Sequence, residues 1–308
     1  MTREEAVRRI ERAAEEKLTE LDLSGLGLEE LPSKIAECTQ LETLLLGKPY
    51  DFFREETNKL TKFPDPVLGL TNLKILNLTA NQITSIPEAI AQLSNLRELY
   101  LGYNKITSIP ETFGQLFNLE WLELNFNQIT SIPEAIGQLS NLTQLNLANN
   151  KITSLPETIG QLSNLTQLNL AVNPITFLPE AIGQLSNLAK LDIHHTQITQ
   201  LPETFGKLSN LTQLDLGNNH ITSIPEVIGQ LSNLTQLELG YNKITYIPEV
   251  LGQLSNLEVL LLDQNQITSI PEALGQLSNL EWLNLEGNPI IEIPQVIGQL
   301  PNLEIYEG

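Results

Sequence analysis

The chain has few of the residues on which several protein classes depend. Its 308 residues include a single cysteine, Cys38, so no internal disulfide can form, and the paired cysteines common at the ends of extracellular repeat domains are missing. No run of about 18 apolar residues occurs, as a membrane-spanning helix would require. The charged opening, MTREEAVRRIERAAEEK, lacks the apolar stretch of a secretion signal. These absences predict a cytoplasmic protein that does not enter a membrane.

Basic residues are also scarce. The chain has 17 Lys and Arg against 37 Asp and Glu, which gives a formal net charge of −20 at pH 7. Such a surface argues against nucleic acid and anionic membranes, which attract basic proteins, and favours a neutral or basic partner. Some of the acidic residues have a local structural explanation, because a glutamate follows a proline in nine repeats between Glu88 and Glu272. We expect this proline at the first position of a helical turn, with the glutamate near its positive end.

What the chain has in abundance is one repeated unit. From Leu73 onward a leucine opens a repeat every 23 residues, and one repeat reads LTQLNLANNKITSLPETIGQLSN over residues 142–164. The pattern L-x-x-L-x-L-x-x-N-x-L resembles the leucine-rich repeats, whose period is about 20–29 residues. This resemblance implies an α/β solenoid, shaped as a horseshoe, with a parallel β-sheet on the concave face and short helical turns on the convex face.

The repeat divides the chain into a short cap and one long domain. Residues 1–17 read as an amphipathic capping helix, and residues 18–308 as a leucine-rich repeat domain of about twelve repeats. The second repeat is nine residues too long, which places an insertion within 47–58, and the last repeat, 303–308, is incomplete. A solenoid that stops without a polar cap exposes apolar surface. Unless this short tail suffices, we expect the chain to be one domain of a longer protein.

Within each repeat, most residues have a structural explanation. The leucines at positions 1, 4 and 6 should face the core, and Phe113 and Phe205 should join them. The asparagine at position 9 should form a ladder that satisfies buried backbone groups; its members are Asn81, Asn104, Asn127, Asn150, Asn173, Asn219, Asn242, Asn265 and Asn288. N-L-T sequons such as the one at Asn141 are interpreted as by-products of the repeat.

A second resemblance concerns the beginning of the chain. The segments EEAVRRIERAAEEKLTELDLSGLGLEELP (4–32) and LETLLLGKPYD (41–51) resemble the N-terminal part of bacterial Roco proteins. In that family a leucine-rich repeat domain precedes a Ras-like GTPase domain and a dimerising domain. The resemblance implies a protein-binding, regulatory domain of a Roco-type GTPase, whose partner is another protein or a downstream domain of the same chain. Since the dimerising domain is absent here, we expect a monomer.

Two alternatives stay open: a stand-alone adaptor or effector, and an engineered repeat scaffold. We expect no enzyme within this chain and no cofactor, because the G-x-x-x-x-G-K-[ST] phosphate loop of a GTPase is missing. Cys38 occupies an apolar position with no histidine nearby in the sequence. No serine has the setting of a catalytic nucleophile.

Alternate strand residues should line the concave face, where most positions are small or polar. The first departure is an aromatic group on adjacent repeats: Tyr100, Tyr103, Trp121 and Phe126, with Glu123 beside them. Aromatic anchors of this kind are typical of binding hot spots. The alternative is that these side chains shield one another along the sheet.

Two further departures occur in later repeats. Val259, Leu261 and Trp282 place apolar side chains on the concave face, either as a docking site or as part of an apolar end. Acidic residues occupy position 5 of three successive repeats: Asp192, Asp215 and Glu238. This stacking should raise carboxyl pKa values and attract a basic partner. His194 lies beside Asp192, where His194, His195 and Thr196 interrupt the asparagine ladder. A metal site and a merely solvated face are the alternatives there, and we expect no metal.

Overall fold

The computed structural model describes residues 2–47 and 57–307. The predicted insertion at 47–58 therefore lies almost entirely outside the described residues. The chain divides into two compact units, Met1–Lys151 and Ile152–Gly308, called here the N-terminal and the C-terminal unit. Both are built from the same alternation of a three-residue strand and a 3₁₀ helix, and each is described by itself.

The N-terminal unit begins with helix α1 (Thr2–Glu16). Its strands are β1 (Glu20–Asp22), β2 (Thr43–Leu45), β3 (Ile75–Asn77), β4 (Glu98–Tyr100), β5 (Trp121–Glu123) and β6 (Gln144–Asn146). Each strand pairs in parallel with the next. The 3₁₀ helices of the described residues are Ser33–Glu37, Asp65–Gly69, Glu88–Gln92, Glu111–Gln115 and Glu134–Gln138.

The C-terminal unit continues the same pattern. Its strands are β7 (Gln167–Asn169), β8 (Lys190–Asp192), β9 (Gln213–Asp215), β10 (Gln236–Glu238), β11 (Val259–Leu261), β12 (Trp282–Asn284) and β13 (Glu304–Tyr306). They too pair in parallel in chain order. The 3₁₀ helices are Glu157–Gln161, Glu180–Gln184, Glu203–Lys207, Glu226–Gln230, Glu249–Gln253, Glu272–Gln276 and Ile297–Gln299.

The alternation of side chains in each strand separates the core from an open face. The central leucines Leu99 and Leu122 are fully buried, while the residues flanking each of them are half-buried on the other side of the strand. We call the side that carries these flanking residues the open face. Phe113 and Phe205 are fully buried, as predicted. The predicted architecture of parallel strands joined by short helical turns is confirmed.

Helix α1 forms over the predicted residues because its apolar positions fall on one side. Ala6, Ile10 and Ala13 are buried, and the helix packs against β1 and the first 3₁₀ helix. Cys38 is buried with its Sγ atom 3.5 Å from the carbonyl oxygen of Ile10. The cysteine thus acts as a small apolar residue, and burial raises the pKa of its thiol.

The asparagine ladder forms as predicted and has one more member than the sequence suggested. At Asn104, Nδ2 donates to the carbonyl oxygens of Leu78 and Leu101, and Oδ1 accepts from the backbone of Ile83. Asn58 makes the same kind of contacts in the second repeat, to Leu23, Leu46 and Leu28. It was missed because the insertion displaces it from the 23-residue phase. The signal was its spacing from Pro64, which equals that from Asn81 to Pro87.

A second, exposed series of asparagines was not predicted. The asparagine that precedes the first leucine of a repeat donates Nδ2 to a backbone carbonyl of the preceding repeat, as Asn118 does to Ser94 at 2.9 Å. Further donors include Asn72, Asn95, Asn141, Asn187, Asn210, Asn233, Asn256 and Asn279. Asn141, Asn210 and Asn233 head three of the N-L-T sequons, so these sequons include residues that join one repeat to the next.

The proline–glutamate pair is arranged differently from the prediction. Pro110 has extended backbone angles and lies at the N-cap, not at the first helical position, which Glu111 occupies. The reason is the 3₁₀ hydrogen bond from the backbone N–H of Phe113 to the carbonyl oxygen of Pro110, which makes the proline the capping residue. The glutamate also acts between repeats, because its Oε2 atom accepts a hydrogen bond from the backbone of Ala135 at 3.3 Å.

From Asn81 to Asn265, the residue before each ladder position, Thr196 included, adopts a left-handed conformation. In the N-terminal unit these residues are Ala80, Tyr103, Phe126 and Asn149, and in the C-terminal unit Val172, His195, Asn218, Tyr241 and Gln264. Their φ values lie between 52° and 58°, where side chains other than Gly and Asn carry a steric cost. The backbone is held there by its pairing, since the N–H of Phe126 donates to Ala148 at 2.9 Å.

Candidate partner-binding surface

The structure brings the predicted aromatic residues of the N-terminal unit into two pairs, each joining adjacent repeats. The rings of Tyr103 and Phe126 stack with centroids 4.2 Å apart and planes 12° from parallel. Those of Tyr100 and Trp121 are 6.0 Å apart and inclined by 42°. The expected mutual shielding is partial: Phe126 remains 39% exposed, and the other three are half-buried. We call these four residues the aromatic cluster.

Two carboxylates alternate with the aromatic rings of β4 and β5. The strand register places Glu98 opposite Trp121 and Tyr100 opposite Glu123, so aromatic and acidic side chains occupy opposite diagonals. The Tyr100 hydroxyl donates to Glu98 at 2.7 Å, and Asn146 donates to Glu123 at 3.3 Å. Burial raises the pKa of the Glu123 carboxyl, and burial together with the neighbouring Glu98 raises the pKa of Tyr100. Glu98 was not among the predicted site residues, although its place at position 3 of the repeat, which begins at Leu96, was a usable signal.

The predicted apolar group of the C-terminal unit also forms, and it has a member that the repeat phase conceals. Val259 lies opposite Trp282 on the open face, and the Trp282 ring stacks on Tyr306 with centroids 4.6 Å apart. The 23-residue period would place Ile305 beside Trp282. Instead β13 pairs one residue earlier, which turns Ile305 toward the core side with Leu283 and Tyr306 toward the open face. A one-residue slip exchanges the two faces of a strand.

The three acidic residues of β8, β9 and β10 lie in adjacent register, as predicted: Asp192 beside Asp215 and Asp215 beside Glu238. His194 Nδ1 lies 2.7 Å from Asp192 Oδ1 and 3.5 Å from Asp215 Oδ2. A protonated His194 therefore links the two aspartates. Thr196 takes the place of an asparagine in the asparagine ladder, and its hydroxyl contacts Ile193 and Asn219.

Among these three acidic residues, burial raises the pKa of Asp215 more than repulsion from the neighbouring carboxylates does. The pKa of Asp215 is raised to about 6, first by burial and then by the charges of Glu238 and Asp192. The hydrogen bond from the Gly217 backbone opposes this rise. The pKa of His194 is raised by its hydrogen bond to Asp192. Like-charge stacking was the predicted cause, and it contributes less than burial.

The acidic residues with His194 and the aromatic cluster offer different binding chemistry. Ligand atoms of Asp192, His194 and Asp215 lie within 4.8 Å of one another, so they could hold a cation, but His194 Nδ1 already bonds Asp192. The aromatic cluster instead presents flat apolar surface edged by carboxylates, which suits a protein segment.

In the described residues, no helix is long and apolar enough to cross a membrane.

Comparisons with known proteins agree with this architecture. A family model described as "Leucine-rich repeat region" matches residues 110–195 and 165–263, and one described as "Leucine rich repeat" matches 57–106, 71–129 and 246–290. Neither describes a catalytic domain. Among curated proteins, no sequence matches this chain significantly.

Several solved structures share the fold. An internalin (inlF) from Listeria monocytogenes has a TM-score of 0.75 and 26% identity, with 97% of this chain and 93% of the internalin covered. The structure of PEPR1-AtPEP1 has a TM-score of 0.77 and 35% identity over 90% of this chain. The plant peptide hormone receptor RGFR1, in complex with RGF2, has a TM-score of 0.70 and 30% identity over 94% of this chain. This chain spans 39% of the PEPR1 structure's chain and 55% of the RGFR1 chain.

Proposed function

The chain belongs to the leucine-rich repeat family, and we propose that it is a protein-recognition domain that binds its partner through the aromatic cluster of the N-terminal unit. Leucine-rich repeat domains generally mediate protein–protein interactions. The observation that carries the proposal is the pair of ring contacts between adjacent repeats of the N-terminal unit, with Phe126 39% exposed. The complex of RGFR1 with RGF2 supports it by likeness of fold.

The physical basis of binding is a surface that is ordered before the partner arrives. Tyr103 and Phe126 are held in left-handed backbone conformations by backbone hydrogen bonds to the next repeat, and their rings are already stacked. Little conformational entropy is then lost on association, and buried aromatic area supplies affinity. The neighbouring face, with Gln144 and Asn146, is polar and supplies hydrogen bonds.

The experiment compares two aromatic double variants of the full chain. Partners are identified by affinity capture and then purified, and binding is measured directly by calorimetry. Tyr100→Ala with Trp121→Ala should weaken binding at least tenfold, since each truncated hot-spot aromatic costs about 2 kcal/mol or more. The matched control, Phe177→Ala with Tyr246→Ala, removes two exposed aromatics outside the strands and should change it less than twofold. Equal binding of the unsubstituted chain and both double variants to every purified partner would refute the proposal.

For the biological setting, we propose a regulatory domain of a Roco-type GTPase in the cytoplasm, monomeric in isolation. Its support is the resemblance of segments 4–32 and 41–51 to that family. The stand-alone adaptor or effector and the engineered scaffold remain the alternatives. Reading the gene beyond the codon for Gly308 tests the Roco setting: a following phosphate loop is expected, and a stop codon would refute it. Light scattering tests the oligomeric state, where a stable dimer would contradict the expectation.

A further inference from the structure

The arrangement of β4 and β5 points to the chemical class of the partner. Glu98 and Glu123 occupy one diagonal of a four-residue square, and Tyr100 and Trp121 occupy the other. With strands about 4.8 Å apart and a rise of about 3.3 Å per residue, diagonal neighbours in this parallel pair lie roughly 8 Å apart, within reach of one long side chain. A cation placed over this square would lie beside two aromatic rings, whose centroids are 6.0 Å apart, and two carboxylates. We call these four residues the aromatic–acidic square.

Neither carboxylate of the square is paired with a basic side chain of the described residues. The strands beside the square present Ile75 and Asn77 on β3, and Gln144 and Asn146 on β6, none of them basic. The square therefore has two half-buried carboxylates and no ion pair with a cation from residues 2–47 or 57–151 of its own unit.

We propose that the aromatic–acidic square is a subsite for an arginine side chain of the protein partner, which presents it from an extended basic segment. This inference rests on the proposed function, because it assumes that the partner binds the open face at the aromatic cluster. Arginine fits better than lysine, since its planar guanidinium stacks on Tyr and Trp and bonds carboxylates with several donors at once. The net charge of −20 favours the same partner at longer range.

The test measures binding of defined peptides to the full chain by calorimetry at about 0.15 M salt, where charges beyond roughly 8 Å are largely screened. The probes are an acetylated, amidated octapeptide of alternating arginine and glycine, its lysine counterpart, and its citrulline counterpart. Citrulline keeps the shape of arginine and removes its charge. We expect the arginine peptide to bind at least tenfold more tightly than the citrulline peptide, and more tightly than the lysine peptide.

Matched variants locate the effect on the protein. Glu98→Gln with Glu123→Gln should weaken the arginine peptide at least tenfold and leave the citrulline peptide unchanged. The control, Glu203→Gln with Glu226→Gln, makes the same change in net charge at exposed first-turn glutamates of two 3₁₀ helices and should alter binding less than twofold. Equal weakening by both pairs would show general charge attraction and overturn the subsite.

Two other outcomes would also overturn the subsite: no binding of the arginine peptide at millimolar concentration, and equal binding of the arginine and citrulline peptides. Either failure is distinct from failure of the proposed function. If the full partner still requires Tyr100 and Trp121 while the peptide results are negative, protein recognition at the aromatic cluster stands and only the arginine subsite falls.

Discussion

The contacts of one ladder asparagine allow the loss of unfolding free energy on removing its side chain to be worked out. Asn127 donates Nδ2 to the carbonyl oxygens of Leu101, Leu124 and Asn125 at 2.9, 3.0 and 3.3 Å. Its Oδ1 atom accepts from the buried N–H of Ile106 at 2.9 Å. In Asn127→Ala, Leu101 and Leu124 each keep one amide donor from a neighbouring ladder asparagine. The N–H of Ile106 keeps no such partner.

The expected loss of unfolding free energy is therefore about 3–5 kcal/mol, from about 1–3 kcal/mol for the orphaned buried N–H of Ile106 and roughly 1 kcal/mol for each of the two amide N–H groups removed. The control is Asn118→Ala, which removes one exposed hydrogen bond to Ser94 and should cost less than about 1 kcal/mol. Asn127→Thr should recover part of the loss, since Thr196 already holds a ladder position.

The measurement is urea unfolding of each variant followed by circular dichroism, together with hydrogen exchange of the Ile106 amide. Exchange at this amide should accelerate strongly in Asn127→Ala and little in Asn118→Ala. Equal stability of these two variants would refute the reasoning, because the ladder would then contribute no more than an exposed hydrogen bond.

Two further predictions concern the C-terminal unit. Because the pKa of Asp215 rises from 3.8 to about 6 on folding, the native state binds the proton more tightly than the unfolded state, and stability falls as pH rises from about 4 through 6. Asp215→Asn should therefore stabilise by up to about 3 kcal/mol at pH 7.5 and by little at pH 4. A pH-independent effect of Asp215→Asn in urea unfolding would contradict the argument. Val172→Asn should raise the melting temperature through about 1 kcal/mol of relieved left-handed strain, and a lower value would count against that strain.

The repeat made most of the fold predictable because a period of 23 residues assigns each position one environment. Leu122 could be placed in the core, and Trp121 and Glu123 on the open face, by strand alternation alone. The prediction was incomplete where a local departure shifts the phase. Asn58 was missed behind an insertion, and Tyr306 faces outward because β13 pairs one residue out of phase.

The candidate site was only partly predictable for a related reason. The sequence placed four aromatic residues on adjacent strands, yet ring geometry depends on rotamers that neighbours select. Only the structure shows Tyr103 stacked on Phe126 and the Tyr100 hydroxyl bonded to Glu98. Likewise, the pKa of Asp215 depends more on how deeply its carboxyl is buried than on the number of acidic neighbours.

By itself, then, the sequence determined the strand-and-turn repeat, the leucine core and the ladder, because each follows from contacts between equivalent positions of successive repeats. Tertiary structure alone decided which side chains meet across strands, which carboxylates lack a basic partner, and where the register slips. Those outcomes depend on packing between residues far apart in the chain. A periodic pattern places such residues on the same face without specifying how their side chains contact one another.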